Sequence, residues 1–255
     1  MPQAAGRGSR RIRSVADALF EHRRLARAYD PLDPDRSDLD AYAALADELG
    51  ARSVLDVGCG TGTLASLLAG RGFEVIAVDP AGASLEVARA KPGADLVRWI
   101  HGEAAALPPL QVDLVTMTGN VAQVFLADED WESVLRCARS ALRPGGHLVF
   151  ETRDPQQQAW RSWDRAHAYK RADLPSGGGA VESWPEVTDV SGALVSFRTT
   201  FAFADGEILT SDSTLRFRGR DEITSSLLAA GFTVAQVRDA PDRPGLEFVF
   251  VARRA

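Results

Sequence analysis

Three glycines at alternate positions, Gly58, Gly60 and Gly62, separate the apolar run Val54-Leu55-Asp56-Val57 from a helical pattern carried by Leu64, Ala65, Leu67 and Leu68. Glycine is needed where the backbone takes a positive φ or must approach a ligand without a Cβ in the way. Strand, tight turn and helix in that order form the entry to a nucleotide-binding α/β unit. Two carboxylates flank the turn. Asp56 lies two residues before the first glycine, within reach of the crevice at the strand's end. Asp79 closes the next apolar run, Phe73 to Val78, where a carboxylate can accept both ribose hydroxyls of an adenosine from the side opposite the glycines. The dinucleotide fingerprint has its last glycine one residue later than Gly62, which weakens a nicotinamide-dependent oxidoreductase as the reading.

The elements that must position these residues follow from hydrophobic periodicity. Leu39 to Leu49 reads as a helix with Tyr42, Leu45, Ala46 and Leu49 on one face, stopped by Gly50. Phe73 to Val78 is nearly all apolar, as a strand buried on both faces should be. Pro80 starts the next helix, which Lys91-Pro92-Gly93 ends. Strands follow at Leu96 to Ile100 and Val112 to Met117. Asp128 is the expected N-cap of a helix with Trp131, Val134, Leu135, Ala138 and Leu142 inward, ended by Pro144-Gly145. A fifth strand spans His147 to Thr152, and Glu151, Arg153 and Asp154 emerge at its carboxyl end. Ligands of open α/β sheets bind outside the carboxyl ends of the strands. Thr118-Gly119-Asn120, after the fourth strand, therefore joins the glycine turn and Asp79 as a site segment.

The run Asp56-Val57-Gly58-Cys59-Gly60-Thr61-Gly62 resembles the first motif of the class I S-adenosylmethionine-dependent methyltransferases. The likeness continues through Val75-Ile76-Ala77-Val78-Asp79-Pro80, Gly102-Glu103-Ala104-Ala105-Ala106-Leu107-Pro108 and Arg143-Pro144-Gly145-Gly146. It covers residues 40–154 and 219–253, and within the family it is most similar to the bacterial small-molecule group. The resemblance implies an α/β fold with a doubly wound, seven-stranded, mostly parallel Rossmann-like sheet. It implies S-adenosylmethionine held by Asp56, Gly58, Cys59, Gly60, Thr61 and Gly62, and by Asp79 and Pro80. Glu103 and Ala104 would read the exocyclic amine of adenine; the family usually has Asp where this chain has Glu103, so a backbone contact from Ala104 is the firmer expectation. Thr118, Gly119 and Asn120 would line the methionine end and the methyl group. An N-terminal helix of such enzymes often crosses the mouth of the site, so Tyr29 either touches substrate or packs that helix onto the core.

A sulfonium methyl is already activated, and the protein has mainly to align a nucleophile behind it and exclude water. Tyr29, Glu151 and Asp154 are the candidates to deprotonate an amine or hydroxyl acceptor. Four scattered histidines offer no metal-ligand spacing. Cytosine-5 enzymes of this class carry a Pro-Cys nucleophile, whereas Arg136 precedes Cys137 and Gly58 precedes Cys59. Amino-adenine DNA enzymes carry Asn/Asp-Pro-Pro-aromatic where Thr118-Gly119-Asn120-Val121 stands. With a net charge of −6, a small-molecule acceptor is expected and no nucleic acid. Two isolated cysteines and no long apolar run point to a cytoplasmic protein without a membrane partner.

The 255 residues divide into a cap helix and loop (1–38), a cofactor-binding domain (39–154 and 219–255) and an insert (155–218). Residues 1–13 read as a disordered start, with a helix from Ser14. In the insert, Gln156 to Tyr169 reads as helical, and Val195 to Phe203 alternates apolar on one face. Asp205-Gly206 marks a hairpin whose return strand runs through Leu209 to Phe217. The exposed Phe face of this meander needs a cover: the active-site mouth, or a twin meander in a homodimer. A protein that binds S-adenosylmethionine without transferase activity is the alternative function.

Overall fold

The computed structural model describes residues 16–255, so the start expected to be disordered (1–13) and the expected helix onset at Ser14 lie outside the described residues. The cap consists of α1 (Ala18–Glu21) and α2 (Arg23–Leu32), and α3 (Asp38–Glu48) follows. The alternating unit then runs β1 (Ser53–Val57), α4 (Thr63–Gly70), β2 (Glu74–Asp79), α5 (Gly82–Arg89), β3 (Val97–His101) and β4 (Val112–Met117). It continues with α6 (Asp128–Ala141) and β5 (Leu142–Arg153). The insert holds a single helical turn, α7 (Arg165–Ala168), then β6 (Lys170–Asp173), β7 (Ala180–Ser191), β8 (Leu194–Phe203) and β9 (Ile208–Arg216). The chain closes with α8 (Arg220–Ala229), β10 (Phe232–Ala240) and β11 (Arg243–Arg254).

The central sheet has seven strands in the order β10-β11-β5-β4-β1-β2-β3. Strands β1 to β5 are parallel, and β11 enters antiparallel between β5 and β10. The order reverses between β1 and β4, which makes the carboxyl ends of these two strands the crevice. β1 is buried at every position because helices cover both faces. On one face Trp131 and Leu135 of α6 and Leu227 of α8 pack on Phe150 and Phe250. On the other, Leu39 and Tyr42 of α3 and Leu64 of α4 pack on Val54 and Val149. No helix among the described residues is long and apolar enough to cross a membrane.

Three sequence expectations change. Ala127, not Asp128, is the N-cap of α6; Asp128, Glu129 and Asp130 fill its first turn, where carboxylates favour the helix dipole. The helix ends at Ala141, and Pro144-Gly145 is already part of β5. Gln156 to Tyr169 is not one helix: Gln158 takes φ 47° and splits two 3₁₀ turns. Their aromatic side chains dock instead of lining a helix face, with Trp160 4.6 Å from Phe217 and Trp163 4.7 Å from Phe197, both edge-on.

The insert forms its own antiparallel sheet, β6-β7-β8-β9. Its apolar face is covered by the cap. Leu25 and Ala28 of α2 pack with Val181, Phe201 and Phe203, and Arg24 lies 3.8 Å from the Phe203 ring centre. Leu19 N–H donates to Ser211 Oγ, and Ser213 Oγ donates to Asp17. The Phe201 and Phe203 side of the face expected to need the active-site mouth or a twin meander as cover is thus packed by the cap of the same chain.

Candidate active site

The turn between β1 and α4 places Gly58, Gly60 and Gly62 at φ 71°, 54° and 76°, all left-handed. Two of them are also sterically fixed. A Cβ on Gly58 would stand 2.7 Å from Val121, and one on Gly62 2.4 Å from Trp99. At Gly60 nothing lies within 4 Å, so this glycine faces open space, as a backbone approached by a ligand must. Asp79 faces the turn from the end of β2, accepting from the Gly60 and Ala81 N–H groups, each at 2.7 Å. Burial raises its carboxyl above the ordinary range against those two N–H groups. Asp56 is 2% exposed and takes one hydrogen bond, from Thr116 Oγ1 at 2.8 Å. Burial, reinforced by Asp79, pushes its carboxyl up to about 7.

The cap reaches this turn. Thr61 Oγ1 donates to Asp30 at 2.6 Å, and Asp30 pairs with Lys91 at 2.7 Å. Glu21 accepts the Gly82 N–H at the start of α5. Cys59 is no thiolate, since burial raises its thiol well above the usual value. Pro80 precedes α5 and its carbonyl lies 3.0 Å from His101 Nε2. Glu103 is exposed and caps a 3₁₀ turn, while Ala104 is half-buried against the core, the side of the site expected for adenine.

After β4 the chain turns sharply. Gly119 and Asn120 both take left-handed φ, 71° and 62°, with Thr118 half-buried before them. Glu151 at the end of β5 accepts both their N–H groups, at 2.7 and 3.2 Å, and the Tyr42 hydroxyl as well. Burial, then repulsion from Glu247, lifts Glu151 to about 7. Asn120 Nδ2 donates to Glu247 at 3.3 Å, leaving Asn120 Oδ1 buried with no partner. Glu247 also accepts from Arg243 at 2.7 Å, and Arg153 lies 3.5 Å from it.

Of the residues expected to handle a proton, Tyr29 is half-buried on α2, its ring 5.7 Å from Phe20, with burial raising its hydroxyl. Asp154 is engaged in a turn, its Oδ1 accepting from the Gln156 N–H. Glu151 is engaged with the β4 corner. Sequence reading missed Tyr42, Glu247 and Arg243 as polar partners here. Tyr42 was assigned by its apolar helix face, although a buried tyrosine hydroxyl requires a partner and could have signalled one.

Residues 54–146 match the profile of a family described as a methyltransferase domain. A ubiquinone biosynthesis O-methyltransferase from Stutzerimonas stutzeri is 36% identical over 119 residues, 44% of this chain and 50% of that protein. The chain spans about half the length of the curated relatives it matches. Among solved structures, an S-adenosylmethionine-dependent methyltransferase from Clostridium acetobutylicum superposes with a TM-score of 0.75 at 18% identity, covering 92% of this chain and 99% of that one. A sugar N-methyltransferase from Streptoalloteichus superposes with a TM-score of 0.72 at 20% identity and covers 100% of both chains. At such identities the likeness is one of fold. Over the residues it shares with them, the chain resembles the class I S-adenosylmethionine-dependent methyltransferases.

Proposed function

We propose that this chain moves the methyl group of S-adenosylmethionine to a nitrogen or oxygen atom of a small-molecule acceptor by in-line displacement. The observation that carries the reading is the cradle: a glycine turn open at Gly60, with the buried carboxylate of Asp79 facing it. Asp56 and the Gly58–Gly62 turn would hold the cofactor's middle, with Asp79 and Pro80 on the ribose and Glu103 and Ala104 at the adenine. Thr118, Gly119 and Asn120 would meet the methionine end. The unpartnered Asn120 Oδ1 fits a site that expects a donor from a ligand, since a buried acceptor left unpaired costs about 1–3 kcal/mol.

Bound there, S-adenosylmethionine supplies a methyl group that its sulfonium already activates, and no metal is called for. The protein's part is then to bind, orient and exclude water. α1 and α2 do so by joining the insert sheet to the glycine turn through Asp30 and Thr61. We read the insert 155–218, which includes Trp160 and Trp163, as the part that sets the acceptor. A cytoplasmic setting suits the unpaired Cys59 and Cys137.

Calorimetry should give one-to-one binding of S-adenosylhomocysteine and none of NAD, and Asp79→Ala should weaken binding by about 1.5–3 kcal/mol, the scale of hydrogen bonds to a charged group. NAD as the tighter ligand would overturn the reading. S-adenosylmethionine binding without release of S-adenosylhomocysteine across amine and hydroxyl acceptors would leave a binding protein instead of an enzyme.

A further inference from the structure

Glu151 stands where a general base was expected, yet its oxygens already have work. Oε1 accepts from two backbone amides and Oε2 from Tyr42, so three of about four acceptor positions are filled. The amides belong to a corner the backbone does not favour. A left-handed asparagine costs about 1 kcal/mol and persists only where its surroundings over-determine it. Here they do: Glu151 grips the Asn120 N–H and Glu247 the Asn120 side chain. The corner is also linked to the glycine turn, because Val121 fills the space that a side chain on Gly58 would need.

We propose that Glu151, as a carboxylate, is a positioning residue: it clamps the Gly119 and Asn120 amides from the neighbouring strand and holds the corner that faces the methyl donor. It acts through that corner and not on the acceptor. The proposal rests on the cofactor reading above and replaces the base role that position alone had suggested.

The clamp is costly to charge. Burial and Glu247 oppose ionisation, while the two amides and Arg243 favour it, and Glu151 sits at about 7. The other polar groups facing this region are Tyr42 on α3, Arg153 on β5 and Tyr29 on α2. A carboxyl raised in the fold lowers stability as pH climbs from the ordinary carboxylate range through its folded value, the window in which the unfolded chain ionises first. Over the same window the grip strengthens, because charged acceptors bind N–H groups more tightly than neutral ones. Stability and positioning therefore run in opposite directions.

That opposition supplies the test. In Glu151→Gln at pH 8, the unfolding midpoint should stay or rise, while S-adenosylhomocysteine binding by calorimetry weakens about tenfold, the lower end for hydrogen bonds to a charged group. In the unmodified protein the backbone amide proton shifts of Gly119 and Asn120 should titrate with a midpoint near 7, and this step should vanish in the variant. Tyr42→Phe, which removes one donor, should raise that midpoint and weaken binding less. Unchanged affinity in Glu151→Gln, amides that do not titrate, or affinity and stability falling together would overturn the clamp. If the unmodified protein binds no S-adenosylhomocysteine, the cofactor reading fails, while the amide titration still decides whether the clamp exists.

Discussion

Asp113 and Asp56 stand on neighbouring parallel strands and show opposite behaviour. Asp113, at the amino end of β4, accepts from the N–H groups of Arg52 and Ser53, from Ser53 Oγ and from Arg143. Burial alone would raise its carboxyl, but these donors outweigh it and hold the group below the ordinary range. Asp56, at the carboxyl end of β1, has Thr116 alone among the described residues and is pushed up to about 7. Asp79, also at a carboxyl end, is raised with two donors, and Glu151 is raised in spite of three, because burial and Glu247 outweigh them. A carboxylate saturated with donors locks strands together. One left short of donors in a dry crevice keeps unused acceptor capacity, and the fold is less stable for it.

The largest effect that would sharpen this contrast is at Asp56. Its folded value lies above the unfolded one, so wild-type stability should fall between about pH 4 and 7 as the unfolded chain ionises first. Asp56→Asn removes that loss, and chemical denaturation at pH 8 should find the variant more stable by on the order of 3 kcal/mol. A destabilised variant at pH 8, with the same value at pH 4, would break the contrast.

Asp113 should answer with the opposite sign. Its folded value is depressed, so its contribution is fully present above the ordinary aspartate value and lost as pH falls through the folded one. Asp113→Asn should cost about 2 kcal/mol at pH 7, the scale of hydrogen bonds to a charged acceptor, and leave S-adenosylhomocysteine affinity unchanged. If that variant unfolds at the wild-type denaturant midpoint, the amino end is not held by this carboxylate.

The two ends were not equally legible in sequence. The glycine turn, Asp79 and the corner after β4 were readable because turn residues and strand ends announce themselves locally. So were β1, β2 and β4, whose burial on both faces makes them largely apolar runs. What depends on distant partners was not. β7 carries Pro185 and the acids Glu182, Glu186 and Asp189, which interrupt its apolar pattern, so its own sequence marks poorly a strand that β8 completes. Trp160 and Trp163 looked helical until Phe217 and Phe197 claimed them. Phe201 was expected to be covered by the active-site mouth or a second copy, because no periodicity says that Leu25 and Ala28 fold back over it. Glu151 was found by its position, but its partners were not legible, since the Tyr42 hydroxyl that donates to it lies 109 residues away.

The smallest effect asks which of the donors to Asp113 matters. Arg143 makes the shortest contact, 2.7 Å, but its side chain is 52% exposed. An exposed guanidinium gains little from pairing, because water screens the charge and ordering the long side chain costs entropy; such pairs contribute about 0–1 kcal/mol. The Arg52 and Ser53 donors are backbone and short side chain, already ordered by β1, and give nothing up to bind. Arg143→Gln should therefore lower stability by about 0.5 kcal/mol at low salt and less at 1 M salt, where screening removes most of the exposed pair. The Asp113 carboxyl, followed by carbon-13 NMR, should stay depressed in that variant. If it returned to the ordinary range and stability fell as far as in Asp113→Asn, the amino end would be held by surface charge, and saturation by ordered donors would no longer distinguish the two aspartates.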